Sequence, residues 1–158
     1  MESDKDLLRL DEQVCFALSV AARTVVGMYG PHLAPLGLTH PQYLVLLTLW
    51  EEDGRRQGDI AQTVRLEPAT VSPLLARLER AGLITRHPAP EDVRSRIVRL
   101  TDAGRALRAD AEGIPHAILQ DLQMDTDELA DLRDRLFALV ARVEIYSAED
   151  CEEPSAES

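Results

Sequence analysis

The chain has 158 residues, 45% of them apolar, which is about one domain's worth of sequence with enough apolar side chains for a packed core. Seventeen basic against twenty-eight acidic residues give a formal net charge of -11, a balance that taken alone argues against a nucleic-acid or anionic-membrane partner. Six aromatic residues are too few to stack successive unpaired bases, and two cysteines, Cys15 and Cys151, cannot build a disulfide framework or a four-cysteine zinc site.

The acidic start, Met1-Glu2-Ser3-Asp4, lacks the basic flank of a secretion signal, so the expected setting is cytoplasmic and reducing. A helix over about 7–29 follows from Leu7, Leu8, Leu10, Val14, Leu18, Ala21, Ala22, Val25 and Val26 at spacings of three and four, and Gly30-Pro31 ends it. Residues 24–50 carry no charged side chain and are long enough to raise a membrane span. Gly27, Gly30, Pro31, Pro35, Gly37 and Pro41 interrupt the run too often, and it reads as buried or subunit-facing chain with no membrane partner. Thr39 is positioned to cap a second helix that begins at His40-Pro41, holds Leu44, Val45, Leu47, Leu49 and Trp50, and closes over 51–54.

A short helix is predicted over 57–64, with Ile60, Ala61 and Val64 inward, and a turn at 66–68 opens another that Gly82 stops. Residues 83–86 and 97–100 have strand composition and flank a ten-residue polar stretch, which reads as a hairpin with a long tip. Thr101-Asp102 opens a helix to about 122, kinked at Pro115, and a last helix runs from Thr126 or Asp127 to about Tyr146. The acidic residues 147–158 are expected to be a disordered tail. The fold class is therefore mainly α with a small β-hairpin, in a single domain.

The charge is unevenly placed. Residues 55–108 hold eleven arginines and six acids, a local +5, while the rest of the chain carries -16. All the cations of the middle are arginine, whose planar fork suits bidentate phosphate and guanine contacts. In the helix after Pro68, Val71, Leu74, Leu75 and Leu78 form the inward stripe, which leaves Thr70, Ser72, Pro73, Ala76, Arg77 and Arg80 outward. Small hydroxyls near the helix start with arginines further along suit a helix laid N-terminus first into a major groove. With the preceding short helix it makes a helix-turn-helix, and the hairpin becomes a wing with Arg86 on its first strand and Asp92, Arg94 and Arg96 at its tip. An arginine on a projecting ribbon fits a narrow minor groove, and Asp92, two positions before Arg94, is placed to hold its guanidinium. Pro73 either kinks the helix or lies in its first turn, if the regular part starts at Thr70.

Leu66-Glu67-Pro68-Ala69-Thr70-Val71-Ser72-Pro73-Leu74-Leu75, Leu78-Glu79, Ala81-Gly82-Leu83-Ile84-Thr85-Arg86, Glu91-Asp92-Val93-Arg94-Ser95 and Leu100-Thr101-Asp102-Ala103-Gly104 closely resemble the winged helix-turn-helix core of the MarR (multiple antibiotic resistance regulator) repressors. Asp11-Glu12-Gln13-Val14-Cys15-Phe16-Ala17-Leu18, Leu38-Thr39-His40-Pro41-Gln42-Tyr43 and Leu49-Trp50-Glu51 are similar to the organic hydroperoxide resistance regulators within that family. The likeness covers roughly 8–145.

The resemblance implies a homodimer, joined through helices at about 7–36 and 109–146, that binds a pseudo-palindromic operator in double-stranded DNA and represses a peroxide-detoxifying gene. It implies DNA contacts at Thr70, Ser72, Arg77, Asp92 and Arg94, and a thiol at Cys15 that organic hydroperoxide oxidises, releasing DNA. Family members hold that thiolate with tyrosine hydroxyls. Tyr29 matches one such position, whereas Ser19 and His40 stand at two others, with Tyr43 nearby.

A cysteine on an amphipathic helix is ordinarily a small buried hydrophobe, and only the flanking resemblance points Cys15 toward reaction. The oxidised thiol would be capped by a low-molecular-weight thiol or by Cys151, whose acidic neighbours disfavour its thiolate. Two other functions compete: the same repressor released by a small lipophilic or phenolic ligand near Tyr29, His40 and Tyr43, and a cysteine peroxidase, for which no peroxidatic motif surrounds Cys15. His32, His40, His87 and His116 lack paired ligand spacing, so neither a metal, nor a cofactor, nor an enzyme is expected.

Overall fold

A computed structural model describes residues 8–150, leaving the side chains of Val93 and of residues 146–150 outside the description. The fold is mainly helical with a small antiparallel sheet, as the sequence predicts. In order come α1 (Val14–Met28), α2 (Gly30–Leu33), α3 (His40–Glu51), β1 (Arg55–Arg56), α4 (Gln57–Thr63), α5 (Pro68–Arg80), β2 (Ile84–Ala89), β3 (Asp92–Leu100), α6 (Asp102–Ala111), α7 (Ile114–Leu122) and α8 (Thr126–Asp150). The chain divides into two compact units, Met1–Ile114 and Pro115–Ser158.

The core of the first unit is built where the apolar stripes predict it. Val71, Leu74, Leu75 and Leu78 of α5 are all buried, with Ile60 and Ala61 of α4, Val45, Leu46 and Leu49 of α3, and Ile84, Val98 and Leu100 of the sheet. α3 starts as expected at Thr39, where Gln42 Oε1 accepts from the Thr39 backbone N–H at 2.9 Å and from its hydroxyl at 3.1 Å, a closure that fixes the first turn.

Several expectations need correction. α1 begins at Val14, after a 3-10 turn at Leu10–Glu12, and not near residue 7. Gly30-Pro31 does not end helical structure but opens the four-residue α2, because proline fits the first positions of a helix where no N–H bond is made. The same rule splits the helix expected over 102–122: Pro115 is the second residue of α7 and does not kink a continuous helix. Pro73 lies inside α5, which is assigned as one helix from Pro68, so the carbonyl of Ala69 loses its i+4 donor. The uncharged stretch 24–50 is buried only in its later part; α1 buries no residue within the chain. α8 extends to Asp150, so 147–150 are helical and not tail, while 151–158, including Cys151, lie outside the described residues.

Candidate functional site

Two tight reversals shape the arginine-rich module. After α4, Arg65 adopts φ 53, with the Leu66 N–H bonded to Ala61 O at 3.0 Å and the Arg65 N–H to Gln62 O at 3.2 Å. This is the left-handed helix stop usually given to glycine, and it turns the chain straight into α5. Gly82 (φ 73) makes the same stop after α5, with the Leu83 N–H bonded to Leu78 O at 3.0 Å, and feeds β2. With one face of α5 buried, Thr70, Pro73, Arg77 and Arg80 of the predicted outward set are exposed, and Ser72 and Ala76 are half-buried.

The wing is longer and more regular than the sequence suggests. β2 and β3 pair over Ile84↔Leu100 to Ala89↔Asp92, with a register shift at Pro88/Ala89, so most of the expected ten-residue loop is strand and Pro90-Glu91 form the tip. The proline-containing stretch pairs because this is an edge strand, where a missing N–H is tolerated. β1 adds a third strand beside β3, giving the order β1-β3-β2. Arg94 and Arg96 therefore lie along β3 and not at the tip. Asp92 Oδ1 accepts the backbone N–H of Arg94 at 2.9 Å, so it holds the strand and not the guanidinium. Arg56 reaches the tip acid Glu91 at 3.5 Å, an exposed pair of little energetic weight.

The wing's root is fastened by groups that sequence patterning missed. Asp53 accepts from the Leu100 N–H and the Gly54 N–H, both at 2.8 Å, and from Arg105 Nη1 at 2.7 Å, joining strand, turn and α6. The Asp53-Gly54 pair is a turn signal, and Gly54 has φ 78, but its long-range partners leave no local trace. Thr101 caps α6 by accepting the Gly104 N–H at 3.1 Å, while its hydroxyl donates to Gly82 O at 2.6 Å. At the α5 side, Glu79 Oε2 accepts from Arg86 Nε at 3.0 Å and Nη2 at 2.7 Å, and Glu79 Oε1 accepts the Arg86 backbone N–H at 3.1 Å. The Arg86 guanidinium holds the Glu79 carboxyl below the usual glutamate range.

Away from this module, Cys15 is exposed on the first turn of α1, its Sγ 3.8 Å from Gln13 Oε1, and Ser19 is exposed one turn further on. Tyr29, His40 and Tyr43 form a separate cluster: the Tyr29 and His40 rings meet edge to face at 4.9 Å, and Tyr29 and Tyr43 lie 6.1 Å apart. Tyr43 continues to Trp50 at 6.3 Å. Burial pushes the Tyr29 and Tyr43 hydroxyls toward higher pKa and the His40 imidazole toward lower, so all three are neutral near pH 7. Cys15 and Tyr29 are fourteen positions apart across unbroken α1, which at 1.5 Å per residue separates them by roughly 21 Å. One chain does not bring the thiol to the aromatic cluster.

The MarR family model matches residues 38–95, from the start of α3 to the wing. The chain is 36% identical to the organic hydroperoxide resistance transcriptional regulator of Bacillus subtilis (strain 168), over 89% of this chain and 95% of that one. It is similar to reduced AbfR, from Staphylococcus epidermidis, in a solved complex with DNA, with TM-score 0.75 and 32% identity over 89% of this chain and 99% of that one. It is also similar to CouR of Rhodococcus jostii RHA1 bound to p-coumaroyl-CoA, with TM-score 0.72 and 28% identity over 84% and 94% of the two chains. A helix-turn-helix closed by Arg65 and Gly82, a paired wing and similarity to such regulators over 89% of its length make this chain a member of the MarR family of transcriptional regulators, and not an enzyme.

Proposed function

We propose that the protein is a homodimeric, cytoplasmic repressor that holds a pseudo-palindromic operator with α5 in the major groove and the β2–β3 wing at the minor groove, and releases it when Cys15 is oxidised by an organic hydroperoxide. Thr70, Ser72, Pro73 and Arg77 supply the helix contacts, Arg94 and Arg96 the wing contacts, and Asp92 fixes the backbone at Arg94. The +5 module faces the duplex, and the acidic remainder disfavours approach by other faces.

The observation that carries the redox reading is an exposed Cys15 on an apolar helix that buries nothing within its own chain, together with the 36% identity to a hydroperoxide regulator. Val14, Phe16, Val20 and Val26 of α1 are exposed, as are Leu132, Leu136, Leu139 and Val143 of α8, the last four spaced to form one stripe. Their burial against a second copy supports the dimer. Because Cys15 and Tyr29 lie far apart along α1, any hydroxyl support for the thiol from Tyr29 or His40 comes from the partner subunit. In the reaction, the Cys15 thiolate attacks the terminal oxygen of the hydroperoxide, the O–O bond breaks, and sulfenic acid and alcohol form; a low-molecular-weight thiol or Cys151 then condenses with loss of water.

A second reading keeps the fold and replaces oxidation with a reversible lipophilic or phenolic ligand. The closed ring cluster of Tyr29, His40 and Tyr43 and the likeness to CouR with its acyl-CoA support it. Gel-shift titrations separate the two. Release by cumene hydroperoxide that is abolished in Cys15→Ser supports the thiol mechanism, whereas release of fully reduced Cys15→Ser protein by a phenolic ligand selects the alternative.

A further inference from the structure

One carboxylate sits among the guanidinium groups at the junction of α5 and the wing, and nothing in the DNA-binding scheme above uses it. Glu79 is one residue from the end of α5, and Arg86 is the third residue of β2. Their three hydrogen bonds, one of them from the Arg86 backbone, cross-link the helix to the strand. The Arg86 side chain is only 23% exposed and both of its bonded nitrogens point at Glu79. Arg86 is paired with Val98 across the ladder and Pro88 with Arg96, so Arg86 and Arg96 occupy the same sheet face, where it outruns the buried Ile84, Val98 and Leu100. Glu79, Arg86 and the exposed Arg96 line a cleft of about 300 Å³ there.

We propose that Glu79 is a positioning residue for DNA recognition: its clamp on Arg86 sets the wing against α5, so that Glu79 acts through Arg86 and Arg96 is the cation this cleft offers to a backbone phosphate. The proposal rests on α5 and the wing being the DNA-binding surface. It makes a prediction opposite in sign to bare electrostatics. Removing a negative charge from a phosphate-facing surface should tighten binding to any DNA, whereas loosening the clamp should weaken binding only where wing and helix must dock together.

The test begins with a duplex selected from a random pool by the wild-type protein and a scrambled duplex of the same composition, each titrated over a range of salt. Glu79→Gln should weaken binding to the selected duplex about tenfold, the loss expected for a charge-assisted hydrogen-bond pair, and leave the scrambled duplex unchanged or tighter. Arg86→Lys, which keeps the charge and loses the fork, should behave like Glu79→Gln, and the double variant should be no worse than either single. Arg96→Gln should lower the salt slope by about one on both duplexes. Tighter binding of Glu79→Gln to both duplexes overturns the proposal, as does wild-type affinity of Arg86→Lys. If Glu79→Gln fails to fold, Arg86→Lys carries the same reading alone. Failure of the wild-type protein to select any duplex would instead sink the DNA-binding reading itself.

Discussion

Trp50 donates its indole N–H to the carbonyl oxygen of Gly104 across 2.9 Å, tying the end of α3 to the first turn of α6 at the wing's root. Gly104 is buried, and a Cβ there would overlap the carbonyl oxygen of Leu83. The glycine is thus required for close backbone approach and not for a left-handed turn. Gly104→Ala should cost about 3 kcal/mol or more, the upper range for overpacking, while Trp50→Phe, which keeps most of the ring and loses one hydrogen bond, should cost about 1 kcal/mol. Urea midpoints at constant m-value check both. A Gly104→Ala protein as stable as wild type would mean that the contact between α6 and the turn before β2 is looser than described.

Arg94 is exposed, and its backbone is pinned by Asp92. Arg94→Ala should weaken binding to the selected operator by about 1–3 kcal/mol if its guanidinium reads the groove. Asp92→Asn should cost less, since an amide oxygen still accepts the Arg94 N–H. Fluorescence anisotropy with labelled duplex measures the difference, and equal losses would mean that the Asp92 charge acts on the guanidinium after all.

Leu136 is 41% exposed in the single chain, on the stripe it forms with Leu132, Leu139 and Val143. Leu136→Glu should shift the protein from dimer to monomer in sedimentation velocity without lowering its helix content in circular dichroism. Loss of specific DNA binding should accompany it, because a palindromic site needs two reading heads. A dimeric Leu136→Glu would place the subunit contact elsewhere.

His40 gives the fold a pH dependence. Its pKa is lowered by burial, so on acidification the unfolded chain takes up the proton first. Its contribution is fully present above the ordinary histidine value and is lost as pH falls through that value toward the lower folded one. Denaturant midpoints from about pH 8 down to about pH 5 should fall for wild type and fall less steeply for His40→Gln. Identical slopes would show that the imidazole is solvated when folded.

Elements set by local chemistry were legible in the sequence. The α5 stripe, the Thr39 start of α3 and the Gly82 stop each follow from side chains within one turn of where they act. The misread elements depend on pairing that reaches beyond a single turn. The stretch 87–96 looks like loop because Pro88, Pro90 and its polar residues disfavour strand, yet pairing with β3 extends it. Asp53 finds its partners 47 and 52 residues away, and no spacing rule anticipates that. Arg86 was legible as a cation but not as one engaged by Glu79. Cys15 and Tyr29 were both singled out on one predicted helix, and the unbroken α1 keeps them apart within one chain.

In the proposed mechanism one thiol controls DNA release. Fluorescence anisotropy of the reduced protein on its selected duplex, with intact mass recorded on the same samples during a cumene hydroperoxide titration, tests it most directly. The loss of anisotropy should track, one for one, the fraction of chains modified at Cys15, dithiothreitol should restore both, and Cys15→Ser should stay bound throughout. Release of the Cys15→Ser protein by the same oxidant, or full Cys15 oxidation with the complex intact, would contradict it.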